Sequence, residues 1–425
     1  MKVFPWNKIK YGDRIVTQCG DKNVILHNVN NNKTVKISKE VFDVIDEICK
    51  SGWEIKKVLK KCETNADREI LLDNLIYLSE NEIIREINDY SEYKEIDIRI
   101  DWDITNRCNL RCRHCCVCAD IEQFDLEKKV IFEIVDKIIS LNPMAITISG
   151  GEPLIRSDFT EIITKLREKY HGYVQLMTNA ILIDDKMAEF ISENINTVSV
   201  SLDGVDEETC RIVRGEGVFN KAIQGIKRLQ KAGMDRISAS MVVTSATYKY
   251  KKRFIDMCKE MGVEPFLREL ALVGRAKEEL RDMLPDDNLE LVYECSEISK
   301  KEQIKKTRKN EIQLKKIPLF SCGAAYKQFQ IDFQGNIYPC QSLMDEKLLL
   351  GNICHINNFD TYIRERLFKT TEGYKNLEQY FPYNFKECKG CNKQIFCWNC
   401  VETIYRNKRK LDYCFNSCIL DKYWE

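Results

Sequence analysis

The sequence lacks a net charge, a long hydrophobic run and a recognisable secretion signal. Lys and Arg together number 66 and Asp and Glu also number 66, so the formal charge is zero. General binding of nucleic acid needs a cationic surface, which this balance does not provide. No stretch approaches the roughly 18 consecutive apolar residues of a membrane span. We therefore expect neither nucleic acid nor a membrane as a partner.

The N-terminus, MKVFPWNKIKYGDR, has no apolar core and no small-residue cleavage site. We therefore expect it not to be a signal peptide, and we expect a cytoplasmic protein. A reducing compartment keeps few disulfides, yet the chain has 20 cysteines among its 425 residues. Such a number indicates metal or redox chemistry, and the spacing of the cysteines must decide between them.

Residues 1–92 have the pattern of a small α/β module. Three strand-like runs come first, with Asn and Gly turn signals between them, at residues 14–19, 23–28 and 34–38. Three helical stripes follow, and the first has apolar residues at the i, i+3, i+4, i+7 spacing, namely Val41, Val44, Ile45 and Ile48. Three strands followed by three helices predict a winged-helix-like module.

Residues 93–312 change to alternating strands and helices. The six strand candidates are residues 96–105, 145–149, 174–178, 197–202, 237–243 and 264–270. Repeated β-α units predict a parallel sheet with helices outside it. Six units predict an α/β fold built as a partial, open (β/α)6 version of the TIM barrel, with its chemistry at the C-terminal ends of the strands.

Residues 313–425 have a weaker periodicity and a crowd of cysteines. We expect this region to be held together by metal more than by an apolar core.

Three cysteines follow the first strand of the second region, in the sequence TNRCNLRCRHC. Cys108, Cys112 and Cys115 have the spacing C-x3-C-x2-C and lie on a predicted loop at the active edge. Soft thiolate ligands favour an iron–sulfur cluster. Three thiolates on a four-iron cluster leave one iron open to another ligand. Cys116 and Cys118 lie close by and keep a zinc site in consideration.

A glycine-rich turn, Gly150-Gly151-Glu152-Pro153, follows the second predicted strand. Glycine lets a ligand approach the backbone, and a carboxylate there can accept a hydrogen bond from an ammonium group. The same four residues alone would be a common turn. One β-α unit after the three-cysteine loop, they indicate a binding loop.

Together these motifs resemble those of radical S-adenosylmethionine (SAM) enzymes. The resemblance implies that Cys108, Cys112 and Cys115 hold a [4Fe–4S] cluster, whose open iron binds the amine and carboxylate of S-adenosyl-L-methionine. Residues implied to contact this cofactor are Gly150, Gly151, Glu152, Asn179, Ser201, Asp203 and Arg214. In two places the sequence departs from the family, with Ala180 where a glycine is usual and His114 where an aromatic residue is usual.

The C-terminal cysteines leave two interpretations. Paired C-x2-C units are typical of a zinc ribbon. Their order also resembles the SPASM extension of radical SAM enzymes, which holds two auxiliary [4Fe–4S] clusters. That resemblance implies Cys322, Cys340 and Cys400 as ligands of the first cluster, and Cys388, Cys391, Cys397 and Cys418 as ligands of the second. Cys414 is an alternative to Cys418.

Two departures from the SPASM pattern bear on the first auxiliary cluster. Cys397-x2-Cys400 replaces the usual C-x3-C, and Lys316 stands where a further cysteine ligand is usual. Because Lys316 replaces a cysteine ligand, one iron of the first auxiliary cluster could stay open and bind a substrate thiolate.

The N-terminal module resembles the RiPP recognition element, a winged-helix module that binds the leader of a ribosomally made precursor peptide. Such a module accepts the leader as an added strand. The alternative is an unrelated structural cap.

The resemblance as a whole implies a radical SAM/SPASM peptide maturase of the sactipeptide or ranthipeptide type. Such an enzyme takes hydrogen from a precursor peptide and forms an intramolecular crosslink, and we expect a cysteine thioether. An electron donor such as flavodoxin or ferredoxin would be a second partner. The alternatives are carbon–carbon crosslinking, another peptide oxidation, a formylglycine-generating sulfatase maturase, a quinone- or mycofactocin-type modifier, and a non-enzymatic zinc-rich interaction protein.

Overall fold

The computed structural model describes residues 4–6, 8–12, 15–28, 31, 33–51, 54–86, 98–283, 322–381, 384 and 400–406. These residues group into two compact units. The first contains the described residues within 1–96, 302–322 and 378–425, and the second contains those within 97–301 and 323–377. None of the helices in the described ranges combines the length and the apolar character that crossing a membrane requires.

The first unit has two small sheets and three helices in its N-terminal part. Its elements are β1 (Ile9–Tyr11), β2 (Ile15–Cys19), β3 (Asn23–Asn28), β4 (Lys33–Ser38), α1 (Lys39–Ser51), α2 (Ile55–Lys61), α3 (Asn65–Glu80) and β5 (Ile84–Glu86). Strands β2, β3 and β4 form an antiparallel sheet in that order, and β1 pairs antiparallel with β5. The three predicted strands and three predicted helices are present. The sequence pattern did not predict β1 and β5, which have three residues each.

The apolar stripes of this unit meet in one core. Leu26 of β3, Val35 of β4, Ile45 of α1 and Leu75 of α3 are fully buried in it. Thr64 begins α3 by accepting a hydrogen bond from the backbone N–H of Asp67, as a helix N-cap does. Of the predicted stripe of α1, Ile48 is also buried and Val41 packs against the cluster, but Val44 is 42% exposed, so its prediction as a stripe residue is wrong.

The second unit is built on one nine-stranded sheet. Its strands are β6 (Arg99–Thr105), β7 (Ala145–Gly150), β8 (Tyr173–Thr178), β9 (Thr197–Ser201), β10 (Ile237–Val243), β11 (Glu264–Glu269), β12 (Gln328–Ile331), β13 (Asn336–Tyr338) and β14 (Gly351–Asn352). The spatial order is β11-β10-β9-β8-β7-β6-β12-β13-β14. Strands β6 to β11 are parallel throughout and neighbours in sequence order. The predicted six-strand parallel sheet is thus confirmed.

Helices connect the parallel strands and continue after them. They are α4 (Lys128–Leu141), α5 (Phe159–Lys169), α6 (Asp185–Asn194), α7 (Glu207–Arg214), α8 (Val218–Lys231), α9 (Lys251–Glu260), α10 (Ala276–Glu279), α11 (Phe359–Arg364) and α12 (Glu372–Glu378). The apolar stripe of α4 is buried as predicted, at Ile131, Ile134, Val135 and Ile138. A further short helix, α13 (Val401–Arg406), belongs to the first unit.

Residues 323–377 have an apolar core, which their weak periodicity did not predict. Strand β12 pairs in parallel with β6 and so extends the main sheet. Phe329 of β12 packs edge-on against Phe368, with 5.4 Å between the ring centroids, and both are buried. The expectation that metal rather than a core holds the C-terminal region is therefore wrong for these residues. Sequence periodicity misses them because their strands are only two to four residues long.

Candidate active site

A cavity of about 270 Å³ lies at the C-terminal ends of the parallel strands. Five successive strands contribute wall residues at or near these ends, namely Ser149, Thr178, Ser201, Val242 and Arg268. The loop after β6 contributes Cys108, Cys112 and Cys115. Since parallel strands present their carboxyl ends at one edge of a sheet, separate sequence motifs converge here. The structure thus brings the three-cysteine loop and the strand-end residues to one cavity.

Each of the three cysteine sulfurs accepts a hydrogen bond from an N–H group. The backbone N–H of Leu110 donates to Sγ of Cys108 over 3.4 Å, and that of Ala119 donates to Sγ of Cys115 over 3.3 Å. The third donor is Nη1 of Arg214, 3.7 Å from Sγ of Cys112. Donors of this kind stabilise sulfur that carries negative charge, as it does when it binds metal.

Burial raises the pKa of the Cys108 thiol to about 12 and also raises that of Cys112. These groups therefore hold their protons at neutral pH, and metal binding must displace them. Within the described ranges, no three His, Cys, Asp or Glu side chains converge as ligands of one ion do. Ligands of a four-iron cluster bind different irons and need not converge. The three soft sulfur ligands and their N–H donors fit an iron–sulfur cluster.

Gly150 and Gly151 bring the end of β7 into direct contact with the start of the cysteine loop. The backbone N–H of Gly151 donates to Thr105 O, and that of Glu152 donates to Arg107 O, both over 2.9 Å. A Cβ atom at Gly151 would lie 2.2 Å from Arg107 O, and Gly150 has a φ of +133°. These two positions therefore require glycine because the two loops touch through their backbones.

Glu152 supports the cavity from behind rather than lining it. Its side chain is fully buried, and its two carboxylate oxygens accept hydrogen bonds from Thr178 Oγ1 and Asn179 N over 2.7 Å each, and from Leu154 N over 3.1 Å. Burial raises the pKa of this carboxyl, although these donors oppose the shift. The carboxylate thus joins the end of β7 to the end of β8, whereas Gly150 and Gly151 line the cavity.

Asn179 and Ser201, which the resemblance implies contact the cofactor, both line the cavity. Asn179 Nδ2 donates to Asn109 Oδ1 over 2.8 Å, which ties the end of β8 to the cysteine loop. The next residue, Ala180, has a left-handed backbone with a φ of +61°. This conformation is the one that glycine adopts without strain, so it explains why glycine is usual in the family at this position.

Asp203 is fully buried and does not line the cavity, but it orients two residues that do. Its carboxylate lies 2.6 Å from Nε of Arg214 and 3.1 Å from Nε2 of His114. Burial alone would raise the pKa of Asp203, but Arg214 and His114 together hold it well below its usual range. The backbone N–H of Val242 also donates to this carboxylate, over 2.5 Å. Asp203 is therefore ionised at neutral pH.

Gly274 and Arg275 hold the cysteine loop in place, and the sequence motifs did not predict this role. Arg275 Nε donates to Cys112 O over 2.9 Å, and its Nη1 donates to Ala119 O over 2.8 Å. Its backbone N–H donates to Cys115 O over 3.1 Å. A Cβ atom at Gly274 would lie 2.3 Å from that same oxygen. The only sequence signal was a Gly-Arg pair shortly after the sixth strand.

Two of the proposed auxiliary-cluster cysteines lie together in the first unit. The side chains of Cys322 and Cys400 form a hydrogen bond, which raises the pKa of the Cys400 thiol. Cys340 belongs to the second unit and immediately follows the loop after β13. The other cysteines assigned to auxiliary clusters lie outside the described residues, namely Cys388, Cys391, Cys397 and Cys418. Cys414 and Lys316 also lie outside them.

The three thiols and strands β7 to β10 lie in a part of the chain that matches a family model. Residues 102–258 match the Radical SAM superfamily. Among curated proteins, the chain is 24% identical over 322 residues to mycofactocin maturase MftC of Mycolicibacterium smegmatis, covering 74% of this chain and 80% of that protein. It is 28% identical over 212 residues to a probable GTP 3′,8-cyclase of Saccharolobus islandicus, covering 49% of this chain and 68% of that protein.

Two groups of solved structures share the fold. Streptococcus suis SuiB bound to its precursor peptide SuiA has a TM-score of 0.54 and 16% identity, covering 94% of this chain and 97% of that one. The enzyme anSMEcpe with bound AdoMet and the Cp18Cys peptide has a TM-score of 0.52 and 21% identity, covering 74% of this chain and 91% of that one. The similarity to SuiB thus extends beyond the radical SAM domain to nearly the whole chain.

Proposed function

We propose that this protein is a radical SAM peptide maturase that crosslinks a ribosomally made precursor peptide. The observation that carries the proposal is the cavity in which three free thiols, each with its own N–H donor, lie beside the Gly150-Gly151 loop. MftC is named a maturase, and a solved SuiB structure contains a precursor peptide. These names support a peptide as the substrate class.

Cys108, Cys112 and Cys115 would hold a [4Fe–4S] cluster beside S-adenosyl-L-methionine. When bound, this pair supplies a 5′-deoxyadenosyl radical that can take hydrogen from a substrate carbon. The chain's own residues orient the cysteine loop and enclose the cavity. Arg214 and the backbone donors stabilise the sulfurs, Asn179 fixes the loop through Asn109, and the buried strand ends exclude water.

We further propose that the C-terminal region, residues 313–425, is a SPASM domain with two auxiliary [4Fe–4S] clusters. The hydrogen bond between Cys322 and Cys400 supports shared ligation of one cluster, since residues far apart in sequence meet there. Cys340 would be the next ligand of that cluster. Cys388, Cys391, Cys397 and either Cys418 or Cys414 would hold the other.

Residues 1–92 are proposed to bind the leader segment of the precursor. The antiparallel sheet β2-β3-β4 has β2 and β4 as its outer strands among the described residues. An outer strand carries unpaired backbone N–H and C=O groups to which an extended peptide can add. Flavodoxin or ferredoxin is the proposed electron donor for the radical SAM core within residues 93–312.

Mass spectrometry of the precursor co-expressed with this protein tests the proposal. A cysteine thioether predicts the loss of two hydrogens per linkage and the loss of one alkylatable thiol. A variant with Cys108, Cys112 and Cys115 all changed to Ala is the control, and it should leave the peptide unmodified while the C-terminal clusters remain. Loss of hydrogen with every thiol still alkylatable would replace the thioether with a carbon–carbon crosslink or another oxidation. A colourless protein that binds zinc and no iron would refute the proposal that this protein is a radical SAM enzyme.

A further inference from the structure

The wall of the cavity is rich in arginine and contains no carboxylate among the described residues that line it. Its three arginines differ in whether their N–H donors have acceptors within the protein. Arg214 pairs with Asp203, and Arg275 donates to the carbonyl oxygens of Cys112 and Ala119. Arg268 has neither a hydrogen-bond acceptor nor a carboxylate partner within the described part of the chain, and its Nε is buried. Arg275 leaves only its Nη2 without an acceptor, whereas no donor of Arg268 has an acceptor among the described residues.

Arg268 lies on the last parallel strand, β11, where its register partner on β10 is Val242. Val242, Leu270 and Val273 are apolar residues of the same cavity wall. The guanidinium also lies 6.0 Å from the ring centroid of Phe266, whose side chain is 56% exposed. A charge in such surroundings is poorly hydrated, and it gains more from an anionic partner than a surface arginine would.

We propose that Arg268 binds a carboxylate group of the molecule that occupies this cavity. A guanidinium presents paired N–H donors that match the two oxygens of a carboxylate. The source that we propose is a carboxylate of the substrate peptide, and this choice rests on the proposed function. The methionine carboxylate of S-adenosyl-L-methionine is the alternative that the test separates from it.

Binding measurements on the full-length, cluster-loaded protein distinguish the two sources. The variants are R268Q, which removes the charge, and R268K, which keeps the charge but loses the fork of donors. The control is R253Q, because Arg253 forms an exposed ion pair with Asp206 in the same unit. Iron content and thermal unfolding of each variant are measured first, so that a loss of binding is not a loss of fold.

In the first arm, calorimetry compares S-adenosyl-L-methionine with its decarboxylated analogue. If Arg268 binds the methionine carboxylate, R268Q weakens the intact cofactor roughly 10- to 100-fold, the range of a charge-assisted hydrogen bond, and leaves the analogue unchanged. In the second arm, saturating cofactor is present and the probes are acetyl-aspartate amide and acetyl-asparagine amide. If Arg268 binds a substrate carboxylate, the wild type prefers the acidic probe and R268Q loses that preference.

Loss of the acidic preference in the second arm supports the assignment, with R268K expected to lie between the wild type and R268Q. The assignment is overturned if R268Q keeps that preference, and an effect in the first arm alone would assign Arg268 to the cofactor instead. Because neither arm needs turnover, this result is independent of the proposed function. Failure of the proposed function would instead leave the co-expressed precursor unmodified by the wild type.

Discussion

The Asp203 carboxylate lies 2.6 Å from Nε of Arg214, and Nη1 of the same arginine lies 3.7 Å from Sγ of Cys112. A buried ion pair at the end of β9 and α7 is thus connected directly to a proposed cluster ligand on the loop after β6. Asp203 therefore influences the cluster site without lining the cavity.

Asp203→Asn is expected to destabilise the fold by about 3–5 kcal/mol, because it leaves the Arg214 charge buried without its partner. Denaturant unfolding measures this loss. Adding Arg214→Met should restore part of the stability, but it removes the donor to Cys112 and should abolish cofactor cleavage. Asp185→Asn, at an exposed ion pair with Lys231, is the matched control and should change little. Equal effects of Asp203→Asn and Asp185→Asn would contradict the prediction.

Gly274→Ala is expected to remove the iron of the proposed SAM cluster while the rest of the protein stays folded. The added Cβ would lie 2.3 Å from Cys115 O and 2.6 Å from Cys116 O, so the cysteine loop must move. Gly233→Ala is the control, because Gly233 also has a positive φ but has no atom within 4 Å of a Cβ placed there. Iron analysis and low-temperature electron paramagnetic resonance give the readout. A normal SAM-cluster signal in Gly274→Ala would show that the loop is not held by this contact.

Asp103 is expected to make the stability depend on pH. It is buried on β6, and burial raises the pKa of its carboxyl to about 7, helped by the neighbouring carboxylates of Asp332 and Asp101. A raised carboxyl pKa means that the folded state binds the proton more tightly than the unfolded state. The protonated carboxyl contributes fully to the free energy of unfolding below about pH 4. This contribution is lost as the pH rises to about 7, and the free energy of unfolding falls by up to about 4 kcal/mol.

Asp103→Asn removes this titration. The melting temperature of the variant should therefore rise relative to that of the wild type as the pH rises from 4 to 7. The difference between the two should stay constant above pH 8. Parallel thermal scans of the two proteins at matched ionic strength measure the difference. A pH-independent difference would mean that Asp103 is ionised throughout this range.

Cys322→Ala and Cys400→Ala are expected to remove the same irons, because both side chains belong to one hydrogen-bonded pair. The double variant should then lose no more iron than either single variant, which is the non-additivity expected of residues that share one site. Cys62→Ala, in the helical part of the first unit, should keep all iron. Additive losses from the two single variants would assign the cysteines to different sites.

The sequence predicted the elements of the parallel sheet because each β-α unit carries its own apolar pattern. Strands β7 to β11 lie within one or two residues of their predicted places, and the motifs at their ends meet in one cavity. These are local signals, and the sheet topology converts them into one site.

The roles of Glu152, Asp203 and Arg275 could not be predicted in the same way. A motif shows which residue types are present, but it does not show which way a side chain turns. Glu152 and Asp203 turn away from the cavity to satisfy backbone and side-chain donors, and Arg275 reaches the cysteine loop over more than 150 residues. Such contacts depend on packing that brings distant segments together.

Strand β12 has a consequence for the order in which the chain is completed. It lies beside β6, yet more than 200 residues separate the two in sequence, and the segment after it supplies Gln341 and Ser342 to the cavity wall. During synthesis, β6 leaves the ribosome with one edge exposed, and that edge stays uncovered until β12 follows. The cysteine loop is therefore made early but enclosed late, so its three thiols would stay accessible for cluster insertion until β12 is added.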